Sequence, residues 1–306
     1  MYKYSVSVLI ITYNHEDFIL DTLESVEAQG FNSIQVVIGD DASTDKTKEI
    51  IESFSSRSKF DYISLFNSEN KGITENFNNC LSLCSGEYIF LLGGDDLFCP
   101  NKIESQFVFM EKNPNIVISY HDVEVFNSKT KKKINNYSDF FKVKNPDLES
   151  LLKYGAFFAG CSVAVRNSKT LPRCDEVIKY ASDWLWYVEI LIESRGGIGC
   201  LNGVLSRYRR HSNNITSSRY LEQSLGETIR SLDIIQMKYP FLKDLVRETL
   251  GERMFAYGIK FILKFKFFIG FKVLFGAILM SPFSPFRFVF FRMNSIFLRL
   301  RRLYEK

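Results

Sequence analysis

Residues 85–96 read Ser-Gly-Glu-Tyr-Ile-Phe-Leu-Leu-Gly-Gly-Asp-Asp. The unbroken apolar run Tyr88–Leu92 has the length and composition of a strand buried on both faces, as in a parallel sheet. Gly93-Gly94 ends it, and two adjacent carboxylates, Asp95 and Asp96, stand just beyond. Such a pair repels unless a cation or a partner lies between its members. Mg²⁺ or Mn²⁺ suits hard oxygen ligands and shares them readily with substrate phosphates. A capped turn before the helix starting at Lys102 is the plainer reading of an Asp-Asp pair. Its place after an apolar strand favours the cation.

Upstream of this stretch the chain alternates. Strands are predicted at Ser7–Ile11, Gln35–Ile38 and Tyr62–Phe66. Between them, Ile19/Leu23/Val26, Thr47/Ile50/Ile51/Phe54 and Phe77/Cys80/Leu81/Cys84 repeat with helical spacing. This β-α-β order predicts an α/β fold, a Rossmann-like, mostly parallel sheet flanked by helices. Parallel strands share one C-terminal edge, where open α/β sheets bind ligands. The four strands end in Thr12-Tyr13-Asn14, Asp40-Asp41-Ala42-Ser43, Asn67–Asn70 and Gly93–Asp96, so polar groups converge there. Asp41 can bind a nucleotide base or ribose; Ser43 or Thr44 can cap the next helix. No G-x-G-x-x-G or G-x-x-x-x-G-K-[ST] is present, which disfavours a dinucleotide fold or a P-loop.

Downstream, a helix is expected at Lys102–Lys112 and strands at Ile116–Tyr120, Ala159–Val165 and Val204–Tyr208. Lys129–Asn145 reads as a surface loop or hairpin. Asp183 opens an aromatic helix, and the chain from Tyr220 to about Lys264 is mostly helical. His15 and His121 lack metal-ligand spacing and read as structural.

Four blocks now stand in order: Ser-Val-Leu-Ile-Ile-Thr-Tyr-Asn (7–14), Gly-Asp-Asp-Ala-Ser-Thr-Asp (39–45), Asn-Lys-Gly (70–72) with Asn76, and residues 85–96. Ser182-Asp183-Trp184 and Tyr208-Arg209-Arg210-His211 follow. Together they resemble the inverting family 2 glycosyltransferases of GT-A fold. The resemblance implies a base pocket lined by Ile11, Tyr13 and Asp41, with Asn70 also in the nucleotide-sugar site. It implies a metal site at Asp95 and Asp96 with His211, Asp95 also touching ribose. Arg209 and Arg210 would lie near the donor diphosphate, and Asp183 would be the general base; an N-cap is its competing role. Relatives often carry Asp where this chain has Gly93, so one ribose-holding carboxylate is absent. The implied reaction is metal-dependent, Mn²⁺- or Mg²⁺-assisted transfer from a nucleotide-sugar, a UDP-sugar foremost, to a lipid-linked, polyprenyl-diphosphate saccharide in bacterial surface polysaccharide assembly. A sugar nucleotidyltransferase and a catalytically silent nucleotide-sugar-binding scaffold are the alternatives.

The composition divides the chain of 306 residues. Hydrophobic residues make up 46% and charged residues 24%, which excludes disorder for most of it. The net charge of +4 hides an asymmetry: Phe255–Lys306 holds ten Lys/Arg, one acid and 13 of the 29 Phe. The expected organisation is a GT-A domain at 1–218, with a nucleotide-sugar half to about 125 and an acceptor half from 126. A helical region, 219–306, ends in a basic, Phe-rich membrane-associating tail from 255. No tail run reaches the roughly 20 apolar residues that span a bilayer, so interfacial binding to an anionic surface is expected. Packing back on the body or a homodimer seam competes with that reading. Nucleic acid is not expected, since no binding motif accompanies the basic aromatic run. No secretory signal is seen, because Val6–Ile11 is too short. Six Cys without a C-x-x-C pair fit a reducing compartment. The expected location is the cytoplasmic face of the inner membrane, held peripherally.

Overall fold

The computed structural model describes residues 2–283 and 286, apart from 140–142, 144, 181, 213 and 215–220. Two compact units result. One holds the residues up to Leu148 and those from Ala156 to Asn214; the other holds Glu149–Gly155 and the helices from Leu221.

The first unit is built on a nine-stranded sheet of order β3-β2-β1-β4-β8-β6-β9-β5, with β7 paired to β6. Its first half follows the alternating sequence: β1 (Tyr4–Thr12), α1 (Ile19–Glu27), β2 (Ile34–Asp40), α2 (Thr47–Ser55), β3 (Asp61–Phe66), α3 (Ile73–Leu81) and β4 (Gly86–Gly93). These four strands are parallel. Every residue of β2 is buried, the apolar Val36–Ile38 together with the polar Gln35 and Asp40. The helices present Ile19, Leu23 and Val26, then Ile51 and Phe54, to the sheet core. Register does the rest. Ile11 pairs with Gly39 and Gly93, Thr12 with Asp40, and Asp40 with Phe66, so the strand ends form one row.

The second half is mixed, where a mostly parallel sheet was expected. It comprises β5 (Leu97–Phe98), α4 (Lys102–Lys112), β6 (Ile116–Asn127), β7 (Lys133–Asn136), β8 (Ala164–Arg166), α6 (Ser182–Ser194) and β9 (Gly197–Arg210). The short β8 wedges antiparallel between β4 and β6, and β9 then runs parallel to β6. The strand expected from Ala159 begins only at Ala164, because Gly160–Ser162 closes a 3-10 turn with Val163 N–H on the Gly160 carbonyl. The α6 helix buries every residue from Trp184 to Leu191, the mark of an internal helix.

The second unit contains α5 (Leu148–Tyr154), α7 (Leu221–Lys238), α8 (Lys243–Leu263) and α9 (Phe267–Met280). The α8 and α9 helices form a hairpin joined at Lys264–Lys266. A Cβ on Gly258 would lie 3.1 Å from the Gly270 carbonyl, and one on Gly270 would lie 3.1 Å from that of Gly258. Small residues thus let the two backbones touch. Only Gly270 and Ala277 of α9 are buried. Phe268 (85%), Phe271 (62%) and Phe275 (65%) are exposed around the rest of it. No described helix is long and apolar enough to cross a membrane. The tail beyond 286, including Phe288, Phe290 and Phe291, lies outside the described residues.

Candidate functional site

The row of strand ends is extended by backbone bonds. Asp41 N–H donates to the Thr12 carbonyl (3.0 Å) and Gly94 N–H to that of Ile11 (2.9 Å). The loop after β1 then turns back through Asn14, at φ +54°. The Ser43 hydroxyl accepts Asn14 N–H (2.8 Å) and the Thr47 hydroxyl accepts His15 N–H (2.8 Å), which fixes His15 over the edge.

Gly94 is demanded by close approach. A Cβ there would stand 2.6 Å from Thr12 Cβ and 2.9 Å from His15 Nδ1. With that space open, Asp95 reaches His211: Asp95 Oδ2 lies 2.8 Å from His211 Nε2. Asn214 supports the pair by accepting His211 N–H (2.6 Å). The His211 ring packs on Phe18 at 4.8 Å and stands edge-on to His15 at 6.1 Å. One ligand atom from each of His15, Asp95 and His211 lies within 4.8 Å of the other two. Burial alone would raise the Asp95 carboxyl, but the His211 hydrogen bond and the two imidazoles hold it below its ordinary value. Burial lowers His15, against the pull of Asp95, which favours the neutral imidazole that binds metals. The residues present therefore fit a divalent ion.

Asp96 does not join this group. Its Oδ1 instead accepts the backbone N–H of Arg209 (2.9 Å). Burial and the charge of Asp95 push its carboxyl well up. Arg209 and Arg210 are likewise split by strand alternation. Arg209 is fully buried at about 5.0 Å from the Phe18 and Phe126 ring centroids, rather than at an open phosphate site. It donates to the Asp95 carbonyl (2.7 Å) and to Asp21 (2.9 Å), locking the Asp95 loop to α1. Thr22 of α1 donates into the same loop, 3.0 and 2.9 Å from the Gly94 and Asp96 carbonyls. Arg210 is exposed, with its guanidinium 5.0 Å from the Tyr208 ring centroid.

The remaining expected residues gather at the β1 and β2 ends. Tyr13 is 43% exposed and Ile11 is partly exposed. Asp41 is buried, and its carboxylate accepts N–H from Lys71 (2.9 Å), Gly72 (2.8 Å) and the Asn67 amide (2.9 Å). A carboxylate offers about four lone-pair positions, so one further donor can be met. Asn70 donates to the Asp41 carbonyl (3.2 Å). Neither Ser43 nor Thr44 caps the next helix: α2 begins later, at Thr47, whose N–H is accepted by Asp45 (2.9 Å), while Asp40 accepts from Ser43. Asp183 is exposed in the first turn of α6 and accepts Trp184 N–H (2.8 Å). Its charge reaches the Tyr137 and Tyr187 hydroxyls, and Tyr137 also feels Arg210.

His15, expected to be structural, lies beside Asp95 and His211, its Nδ1 also 3.1 Å from the Thr12 hydroxyl. Its only sequence signal is its position just past a strand end. His121 is buried in the sheet unit, its ring held low, about 3, by burial and by the nearby Lys102.

The family model for glycosyl transferase family 2 matches residues 7–171, more than half of the chain. The chain belongs to glycosyl transferase family 2. A family relative in Escherichia coli, the UDP-Glc:alpha-D-GlcNAc-diphosphoundecaprenol beta-1,3-glucosyltransferase WfgD, is 30% identical over 227 residues, covering 72% of this chain and 83% of that protein. An uncharacterised protein of Mycobacterium tuberculosis is 28% identical over 220 residues, 71% of this chain; the match spans only 62% of that protein's length. Among solved structures, Staphylococcus aureus TarS 1–349 in complex with UDP-GlcNAc superposes with a TM-score of 0.68 at 19% identity, over 91% of this chain and 82% of that one. The likeness shows the GT-A fold.

Proposed function

We propose that this family 2 chain transfers a sugar, with inversion, from a nucleotide-sugar to a lipid-linked saccharide acceptor of bacterial surface polysaccharide assembly. The observation that carries the reading is the His15–Asp95–His211 group at the sheet edge, in line with the buried Asp41 carboxylate. An ion site and a nucleotide site on one row of strand ends suit a donor that carries a diphosphate. A UDP-sugar is the favoured donor, because one open acceptor position on Asp41 suits an imide N–H. Ile11, Tyr13 and Asn70 complete that pocket. Two imidazoles among three ligands favour Mn²⁺ over the oxygen-seeking Mg²⁺. The bound ion would neutralise charge on the leaving diphosphate.

The residues divide the remaining work. Asp183 takes the proton of the acceptor hydroxyl as its oxygen bonds the anomeric carbon and the bond from that carbon to the diphosphate oxygen breaks. Arg209 and Thr22 hold the Asp95 loop rather than the donor. Arg210 and Asp183 act in opposite senses on the Tyr137 hydroxyl.

The acceptor class follows from the WfgD relative and from the α8–α9 hairpin. Its glycine contact leaves Phe268, Phe271 and Phe275 outward, with Lys264 and Lys272 among them; Lys266 is paired with Glu222. Such a surface sits in a membrane interface, with apolar rings inserted and ammonium groups at the phosphates. The protein would then bind peripherally to the cytoplasmic face of the membrane. A homodimer through the same hairpin is the competing use of that surface.

A panel of nucleotide-sugars tested by thermal shift, with and without Mn²⁺, reads the donor directly. A UDP-sugar is expected to raise Tm only when Mn²⁺ is present. Indifference to every nucleotide-sugar in both conditions would defeat the reading.

A further inference from the structure

The mixed half of the sheet holds a second concavity, separate from the His15–Asp95–His211 group, with a volume of about 220 Å³. It opens where β6 and β9 lose register. Leu201 pairs with His121 and Val204 with Asp122, so Asn202 and Gly203 are extruded from β9. Gly203 has φ +119°, a conformation that L side chains rarely adopt, so this bulge depends on glycine. Bulges gather beside functional sites because they stop pairing and re-aim side chains.

The lining combines two chemistries. One part is aromatic: Tyr120 stacks on Phe158 at 4.8 Å between centroids and meets Phe157 edge-on at 5.7 Å. The other is polar. Asp122 accepts from Ser138 N–H (3.0 Å) and the Ser138 hydroxyl (2.7 Å), which anchors the 3-10 turn Tyr137–Asp139 along the cavity. Asn202 is exposed at the rim. The Asp122 carboxyl group disfavours a phosphate, and the polar groups of Asp122, Ser138 and Asn202 set into the mainly apolar lining disfavour a lipid chain. A neutral polyol fits both parts. The C–H face of a sugar ring packs on the electron-rich face of an aromatic ring, and its hydroxyls both donate and accept.

The cavity wall also lies within electrostatic reach of Asp183, through two tyrosines. Tyr137 lines it, and the Tyr137 hydroxyl lies in the field of Asp183 and Arg210. Phe158 meets Tyr187 at 5.2 Å, and the Tyr187 hydroxyl feels Asp183 too. We infer that the bulge cavity is a saccharide subsite that holds a sugar ring of the acceptor while a hydroxyl of that acceptor is presented to Asp183. The inference rests on the transferase reading for the word acceptor, but not for saccharide binding itself.

Cys200 supplies the probe, since it is exposed at the cavity whereas Cys80, Cys161 and Cys174 are buried. Alkylation of the full chain by iodoacetamide, assigned by peptide mass, is followed with a panel of methyl glycosides (glucoside, galactoside and their N-acetylamino forms), or with UDP and Mn²⁺. At least one glycoside is expected to slow Cys200 labelling severalfold, and UDP with Mn²⁺ to leave it unchanged. Val204, 38% exposed at the rim, can carry a larger ring without disturbing the core. Val204→Trp is expected to abolish glycoside protection and to raise the acceptor KM at least tenfold, with nucleotide-sugar hydrolysis in the absence of acceptor within twofold of wild type. Unchanged Cys200 labelling with every glycoside, in a protein that does turn over nucleotide-sugar, overturns the subsite and spares the transferase reading. Protection in a protein that turns over none supports the subsite and removes the transferase.

Discussion

Asp95 and Asp183 are carboxylates in opposite settings, and the proposed chemistry uses the contrast. Asp95 is enclosed by two imidazoles, whereas Asp183 stands exposed in the first turn of α6. Removing a positioned general base costs about 10²–10⁴-fold in rate. Asp183→Asn is therefore expected to lose transfer by that factor while nucleotide-sugar affinity, read by titration calorimetry, stays unchanged. Substantial turnover in the variant would return Asp183 to a helix-end role. His15→Ala should weaken Mn²⁺ binding at least about tenfold, as loss of a supporting ligand does, measured as free Mn²⁺ by electron paramagnetic resonance. Unaltered Mn²⁺ affinity would remove His15 from the site. Sequence pattern could not show this histidine's role, because its partners Asp95 and His211 come from other strands and only the sheet register brings them together.

At the scale of elements, the first four strands and the helices between them were legible because each carries its own periodicity: continuous for buried strands, helical for α1 to α3. The β8 wedge was not, since three residues hold too little pattern to show direction. The pairing of Arg209 with Arg210 in one role also failed at this scale. In β9 alternate residues face opposite sides, so one arginine is buried between Phe18 and Phe126 and the other is exposed. The bulge in β9 was likewise invisible, for it is defined by the residues opposite it in β6. The α8–α9 hairpin carries the prediction at this scale. Replacing Phe268 and Phe271 together by Glu places charge at two exposed positions and costs the fold little. Co-sedimentation with phosphatidylglycerol vesicles is expected to fall at least tenfold, with the far-ultraviolet circular dichroism unchanged. Equal sedimentation of both proteins would give the hairpin to a protein partner or a second copy.

For the molecule as a whole, buried histidines tie stability to pH. His121 is held at about 3, far below its ordinary value, by burial and by Lys102. The unfolded chain therefore takes up a proton that the folded chain refuses, and stability is lost as pH falls from about 6.5 toward that value. Between pH 6 and pH 5 the loss from this one group is roughly 1 kcal/mol, and buried His15 acts in the same direction. Denaturant titrations at the two pH values should show that decrement in the wild type and a smaller one in His121→Gln. An identical slope in both proteins would mean that His121 is protonated in the fold. The charge division read from composition has its physical counterpart in the hairpin, whose backbones meet through Gly258 and Gly270, with Leu274 and Ile262 packed over the two glycines. The residues that build the hairpin and the residues that face outward are thus two separate sets. Its surface can be recoded, greasy to charged or back again, while the instructions for folding it stay untouched. Where such a protein resides can then change over generations by drift at a handful of outward positions, without renegotiating its architecture.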